Sequence, residues 1–473
     1  MKLQKPKIKK CLKRLQVGTL AIFLLCLTAG CGLKQKPLPA IDELVVWGVW
    51  DDSDVIDGFA ENYIDQNPNI KQITYRKFPI EEYEDELIRA FARDQGPDIF
   101  LAHHTWLKRH GEFMIGLEQS RQVYNQAIQS LGGCQKPPSI EQPLISERNY
   151  KEAFVDVAYQ DFVSNGEIYG IPLAVDTLAL YYNEDLYKEI NEFYPPTTWE
   201  ELEKISRKLA KIDEFGNINQ AGIGMGTARN VGRPGDILAM LIMQKGSDIV
   251  DRKTLSVEIT QKARGPAGQL INPGLQALEF YTGFADASHP NYTWNPRMHH
   301  STDLFQEGKL GMIINYTFAV DLLKLKAPKL NFKLAKIPQF QGASPENKIT
   351  YANYWGYVVA GKSAHKRASL PIEAWKFLLY LGQKEQIQAY VELTNRPPSR
   401  RDVIEERKND PDFGVFAEQA YKAKSWIQPN EHRVNQIFKK NIEDVALNKQ
   451  EPEDAVNNIE SNIQVLIEKN FNR

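Results

Sequence analysis

Between Val45 and Asp54 the chain reads VVWGVWDDSD, a short apolar run carrying Trp47 and Trp50 and ending in the carboxylates Asp51, Asp52 and Asp54. A second run, HHTW from His103 to Trp106, again sets an indole beside groups that donate and accept hydrogen bonds. An indole offers a broad apolar face and a carboxylate offers fixed acceptors, a pairing suited to holding a small polar molecule. Other chemistry finds no support. His103-His104 and His299-His300 are adjacent pairs, and neighbours on extended backbone point apart, which is wrong for a shared metal. GIGMGTARNVG has spaced glycines but lacks the strand, turn, helix and following acid of a dinucleotide site. DEFGNINQAG puts Phe215 where a calcium loop needs a ligand, and Gly216-Asn217 reads as a turn. No nucleophile elbow, HExxH or Cys-His setting occurs, and no two carboxylates stand out as an acid and base. No metal, cofactor or catalytic residue is expected.

The elements that must carry these groups follow from periodicity. LVVWGVW is a buried-type strand, and SDVIDGFAENYIDQNP places Val55, Ile56, Phe59, Tyr63 and Ile64 on one helical stripe before Pro68 ends it. ITYRKF is a strand, IEEYEDELIRAFARD a helix with Tyr83, Leu87 and Phe91 in line, and DIFLA a third strand. Such alternation means right-handed crossovers and a largely parallel sheet, whose ligands bind beyond the carboxyl ends of its strands. WDDSD leaves the first strand and HHTW the third, so both lie on that edge. Strand alternation sends Trp47 and Trp50 to opposite faces, with Trp47 in the core.

At 473 residues the chain is long enough for two domains. Its start is a processing segment. Lys2, Lys5, Lys7, Lys9, Lys10, Lys13 and Arg14 precede the apolar run VGTLAIFLLCLTAG, and Leu27 to Cys31 resembles the lipobox of bacterial lipoproteins, with Cys31 as the lipidated residue. Without that basic head the remainder is more acidic than the whole-chain charge of -2, which disfavours capture of nucleic acid. Cys11 and Cys26 leave with the signal, so Cys134 is the one thiol left and no internal disulfide can form. GLKQKPLPA, with two prolines and no apolar period, reads as a tether.

Farther along, Gly132 to Glu147 reads as a loop insertion, and GEIYG as a hairpin-like turn before the extended run IPLAVDTLALYYN. In PPTTWEELEKISRKLAKI, Thr198 with Glu201 forms a capping box, and Trp199, Leu202, Ile205, Leu209 and Ile212 form a buried stripe. STDLFQEGKLGMIINYT reads as helix into strand, FKLAKIPQF and YWGYVVAG as strands, and IEAWKFLLYLGQKEQIQAYVEL as one long helical pattern before the break NRPPSRR. The tail beyond Trp426 is helical, and Trp199 and Trp375 lie on packing stripes.

In this order, GEIYGIPLAVDTLALYYNEDLY and PPTTWEELEKISRKL, supported by GPDIF, FQEGKLGMIIN, EAWKFL and NRPPSR, resemble the maltose-type (family 1) sugar-binding lipoproteins of ABC importers, from about Leu44 to the C-terminus. The resemblance implies an α/β, two-lobed periplasmic-binding-protein-like fold with hinge strands between the lobes, near Pro172–Asp176, Ile313–Phe318 and Asn353–Tyr357. It divides the chain into a signal peptide (1–30), a lipid-anchored tether (31–41), the first lobe (42–172), the second lobe (173–314), a return to the first (315–355), and the second lobe with terminal helices (356–473). It implies a carbohydrate ligand, an oligosaccharide, passed to ABC permease subunits by a monomer anchored through Cys31 on the outer face of the cytoplasmic membrane. A sugar ring has an apolar C–H face and a rim of hydroxyls. With the loop positions, the resemblance therefore nominates Trp50, Trp106, Phe318 and Trp355 as stacking surfaces and Asp51, Asp52, His103, Asp176, Arg229, Asn230 and Asn315 as polar contacts. Alternatives remain open: an importer subunit for a polyamine, phosphate ester or peptide, whose cleft would be charged; an exported carbohydrate-active enzyme; or an adhesin.

Overall fold

The computed structural model describes residues 40–130, 144–265, 268–362 and 368–471; the signal segment, Cys31 and Cys134 lie outside them. In the first lobe, Leu44–Gly48 pairs in parallel with Ile73–Lys77 on one side and Ile99–His103 on the other. The connecting helices Ser53–Gln66 and Ile80–Ala92 bury Ile56, Phe59 and Tyr63, and Tyr83, Leu87 and Phe91, so the apolar stripes pack as their spacing requires. Gly48 interrupts the apolar strand for a steric reason: a Cβ there would lie 2.3 Å from Tyr75 Oη, the phenol that donates to the Asp51 carbonyl. Two distant segments finish the sheet. Trp355–Val359 lies antiparallel beside Ile99–His103, and Gly170–Ile171 lies beyond it.

The second lobe has its own five-stranded sheet, in the order Phe332–Ala335, Ala179–Asn183, Leu310–Asn315, Ile218–Ile223, Lys211–Ile212. Its helix Trp199–Leu209 opens on the capping box of Thr198 and Glu201, and Trp199 donates its indole N–H to Gln244 Oε1 at 2.6 Å. Ile212 lies outside the stripe assigned to it; it sits past the helix on an edge strand and is 43% exposed. The long helical pattern near Trp375 divides into Leu370–Leu381 and Lys384–Thr394, with Gly382 and Gln383 between them. At Asn165-Gly166 both residues take positive φ, 52° and 77°, which closes a tight hairpin between Val163–Ser164 and Glu167–Ile168.

Each sheet has a separate hydrophobic core, and the chain passes between them three times. Val175 belongs to the first core and Leu178 to the second; Tyr351 to the second and Ala352 to the first; Ala423 to the first and Trp426 to the second. The crossing segments bond to one another: Asp176–Thr177 runs antiparallel to Thr350–Asn353, which runs parallel to Ala423–Lys424. The first crossing lies at the end of the stretch expected for it. The second does not: Leu310–Asn315 is an interior strand of the second sheet, and Phe332–Ala335 pairs with Ala179–Asn183. Residues 315–351 therefore stay in the second lobe, the return to the first begins at Ala352 and ends at Ala423, with Phe413, Val415 and Phe416 packing against the second core on the way, and the third crossing falls at Ala423–Trp426 rather than Asn353–Tyr357. An all-buried run such as LGMIIN has the same composition in a hinge as in a sheet interior, and its pairing partners alone distinguish the two.

A buried carboxylate ties the lobes together beside this hinge. Asp161, on the first lobe, accepts from Ser425 Oγ at 2.6 Å and from Tyr354 Oη at 2.8 Å. His104 Nδ1 lies 3.2 Å from it, and Arg252 of the second lobe pairs with it at 2.8 Å. Burial works to raise the Asp161 pKa, but Arg252, His104 and Ser425 outweigh it and hold the carboxyl well below the usual aspartate value. Asp161→Ala should therefore lower stability by about 3 kcal/mol at neutral pH, because it removes the charge that pairs with Arg252 and the acceptor shared by Tyr354 and Ser425. Because the folded-state pKa is depressed, this contribution exists above the free-aspartate value and is lost in acid. Urea unfolding should show wild type and variant well separated at pH 7 and converging as the pH falls below 4.

Candidate functional site

Where the second lobe meets the hinge, several element ends surround a cavity of about 340 Å³, within the range of small-ligand sites. Asn315 arrives at the carboxyl end of Leu310–Asn315, and Phe318, 48% exposed, opens the helix Phe318–Lys326. Arg233 precedes the helix Pro234–Gln244, whose first turn supplies Asp236. Tyr351 comes from a hinge strand, Trp426 and Gln428 follow the third crossing, and Glu431 begins the helix Glu431–Ala446. Asp236 accepts from Tyr316 Oη at 2.9 Å, and burial raises its pKa from the ordinary aspartate value, with Arg233 and Tyr316 opposing. Arg233 stands over the rings of Tyr316 and Phe318, 5.4 and 5.2 Å from their centroids.

The first lobe presents a different surface. Trp50 meets Trp355 edge-on at 6.2 Å, Trp355 meets Trp106 at 5.3 Å, and Trp106 stacks on Tyr83 at 6.1 Å. Trp50 is 42% exposed and Trp355 half-buried, whereas Trp106 and Tyr83 are buried and act as their backing. His103 sits against Trp355, bonded to Thr105 Oγ1 at 2.8 Å and to Asn353 Oδ1 at 3.1 Å. Its Nδ1 also lies 3.5 Å from Glu431 Oε2. That contact joins the aromatic wall of one lobe to the rim of the cavity in the other. Burial lowers the His103 pKa to about 4, so the ring is neutral at physiological pH.

Two α/β lobes, three hinge crossings and a cavity at their junction agree with the family comparison. Residues 56–415 match the family described as bacterial extracellular solute-binding protein. The chain belongs to this family. Membership places the solute-binding protein on the periplasmic or extracellular side and makes its task the holding of a solute rather than its transformation. A Brucella abortus (strain 2308) protein designated a binding protein is 26% identical over 339 residues, covering 70% of this chain and 76% of its own. The maltodextrin-binding protein MdxE of Bacillus subtilis (strain 168) is 27% identical over 264 residues, covering 55% of this chain and 57% of its own. Among solved structures, the sugar-binding protein MalE from Xanthomonas citri superimposes with a TM-score of 0.68 at 19% identity, covering 90% of this chain and 98% of that one. That likeness is one of fold.

The residues nominated from sequence divide into groups. Asn315 and Phe318 line the cavity, and Trp50, Trp355 and His103 form the facing wall with Trp106 behind them. Four nominated side chains have other partners. Asp51 is buried, accepting from Tyr357 Oη at 3.1 Å and Tyr390 Oη at 2.9 Å and pairing with Arg396 at 3.0 Å, so it fixes the loop that displays Trp50. Asp52 is exposed and paired with Lys77 at 2.6 Å. Arg229 donates to the Pro296 carbonyl at 2.7 Å and pairs with Glu443, and Asn230 donates to the carbonyls of Asn295 and Met298. Sequence reasoning missed Arg233, Asp236, Tyr351, Trp426, Gln428 and Glu431. The string RPGD did carry a signal, since proline followed by an acid in the first turn marks a helix start. Trp426 and Glu431 reach the site through the third crossing, which no local pattern announces.

Asp176 occupies the hinge. It accepts from Thr317 Oγ1 at 2.7 Å and from the Thr177 N–H at 2.8 Å, fastening a crossing strand to the loop after Leu310–Asn315. Burial raises its pKa from 3.8 to about 6, with the hydrogen bonds from Thr317 opposing. A carboxyl that holds its proton more tightly folded than unfolded costs stability as the pH rises through that interval. Asp176→Asn should therefore gain stability relative to wild type between pH 4 and pH 7 and change little above pH 7, as read from urea midpoints across that range.

Proposed function

We propose that this solute-binding protein captures an oligosaccharide between its lobes and delivers it to the permease of an ABC importer. We take it to act as a monomer held to the outer face of the cytoplasmic membrane by lipid on Cys31. No cofactor enters the scheme. The observation that carries the reading is the opposition of two complementary walls: the part-exposed rings of Trp50 and Trp355 on one lobe, and a cavity rich in hydrogen-bonding groups on the other. The indoles suit the C–H faces of sugar rings, and Asn315, Gln428 and Glu431 suit their hydroxyls. The maltodextrin-binding and sugar-binding relatives support the same class of ligand.

Closure on the ligand is a shift between two populations. It requires contacts made with both lobes at once, because a ligand held equally by open and closed forms would move nothing. The three-stranded hinge permits it by concentrating the moving dihedrals in short extended segments. Titration with maltotriose and longer oligosaccharides should raise the melting temperature and reduce the radius of gyration in small-angle scattering. Trp355→Ala should weaken the best-bound oligosaccharide by roughly 10-fold or more, in line with the loss of an aromatic stacking surface. Tight binding with no compaction would defeat the closure mechanism. Melting temperatures that rise with polyamines or peptides but not with sugars would defeat the ligand class.

A further inference from the structure

The wall of the cavity formed by the second lobe is unevenly furnished, and Arg233 is where the unevenness is greatest. Among the described residues its guanidinium has no hydrogen bond and no ion pair, although Asp236 and Glu431 line the same cavity. Its guanidinium lies over the faces of Tyr316 and Phe318 and within the electrostatic reach of Asp236, and stacking on a ring leaves the in-plane N–H groups unused. The backbone beneath it is strained. Arg233 has φ 57° and ψ 39°, a left-handed conformation rare outside glycine, and the following Pro234 restricts it further. Strain of this kind persists where the surroundings impose it, and it collects at functional sites.

Two further donors converge on the same wall. The helix Pro234–Gln244 points its positive end at the cavity, and no side chain caps it, so the N–H groups of Gly235 and Asp236 have no side-chain acceptor. Asn315 is only 5% exposed; its Oδ1 accepts the Tyr316 N–H, while its Nδ2 has no partner among the described residues and lies at the cavity lining. Asp236 accepts from Tyr316 and its charge acts on Arg233 without a hydrogen bond between them, while Glu431 faces His103 across the seam, so neither carboxylate takes up the in-plane N–H groups.

A neutral sugar hydroxyl both donates and accepts, which Gln428 and Glu431 suit, whereas the groups gathered around Arg233 are donors. An oxyanion accepts only, and a guanidinium, a helix N-terminus and an amide N–H together suit it. We propose that the saccharide taken by this cavity bears an anionic group, a carboxylate or a phosphate, and that Arg233 is its counter-ion. The proposal rests on the reading of the cleft as a sugar site and narrows it.

The test is calorimetric titration of the mature chain with maltotriose, trigalacturonate and glucose 6-phosphate, repeated with Arg233→Gln, Arg233→Lys and Asn315→Ala. An acidic probe should bind more tightly than maltotriose. Arg233→Gln should weaken the acidic probe by roughly 10- to 100-fold and Arg233→Lys by less, as expected for a charge-assisted contact. Preference for trigalacturonate assigns a carboxylate, and preference for the sugar phosphate assigns a phosphate. Asn315→Ala, which leaves the strained loop intact, should reduce the same affinity if Arg233→Gln does not fold. Binding of maltotriose with no binding of either acidic probe would overturn the anionic assignment while leaving the sugar reading in place, and acidic binding untouched by all three substitutions would overturn Arg233 as the counter-ion. Failure of every saccharide, neutral and acidic, would remove the sugar reading itself and the proposal with it.

Discussion

Two hydrophobic cores, each closed around its own five-stranded sheet, are connected where the chain passes through three extended segments. Those segments leave each core with backbone donors and acceptors that must find partners, and they find them in one another. The small sheet that results fixes where the lobes touch and where they do not. The cavity lies beside it because strand ends and helix starts from the second lobe stop there, and because Tyr351, Trp426 and Gln428 enter on the crossing strands and their continuations. A hinge built from paired backbone satisfies its own hydrogen bonds and leaves each core closed within its lobe.

Buried polar groups refine that arrangement. Asp161 gathers donors from both lobes on one side of the hinge, and Asp176 fastens a crossing strand to Thr317. Asp51 takes two phenols and a guanidinium beneath the loop that displays Trp50. Each carboxylate lies where losing its partners would leave charge in a poorly solvated place, so each specifies geometry more than it adds net stability. Trp50 and Phe318 are exposed beside these networks, Trp50 next to Asp51 and Phe318 next to Thr317. This is the condition under which a few contacts can distinguish one solute from another.

Much of the fold was legible along the chain. The alternation at the start required a parallel sheet, Thr198 and Glu201 set a helix start, and Trp47, Trp199 and Trp375 were assigned to packing that the structure contains. The site was legible in part. Trp50, Trp355, His103, Asn315 and Phe318 lie on its walls, whereas Asp51 and Asn230 are the same residue types turned toward protein partners. Residue type and loop position cannot separate a carboxylate that faces a ligand from one that faces two tyrosines arriving from residues 357 and 390.

Local pattern determined what depends on near neighbours: helix stripes, caps, turns such as Asn165-Gly166, and the order of strands and helices. Tertiary structure decided what depends on pairing between distant segments. It placed LGMIIN inside the second sheet rather than in the hinge, brought the third crossing to Ala423–Trp426, and carried Trp426 and Glu431 to a cavity whose other wall begins near residue 231. The physical reason is that burial and hydrogen bonding constrain a strand's composition but not its partner. The partner is chosen when the two cores form and the segments between them have only one another to bond.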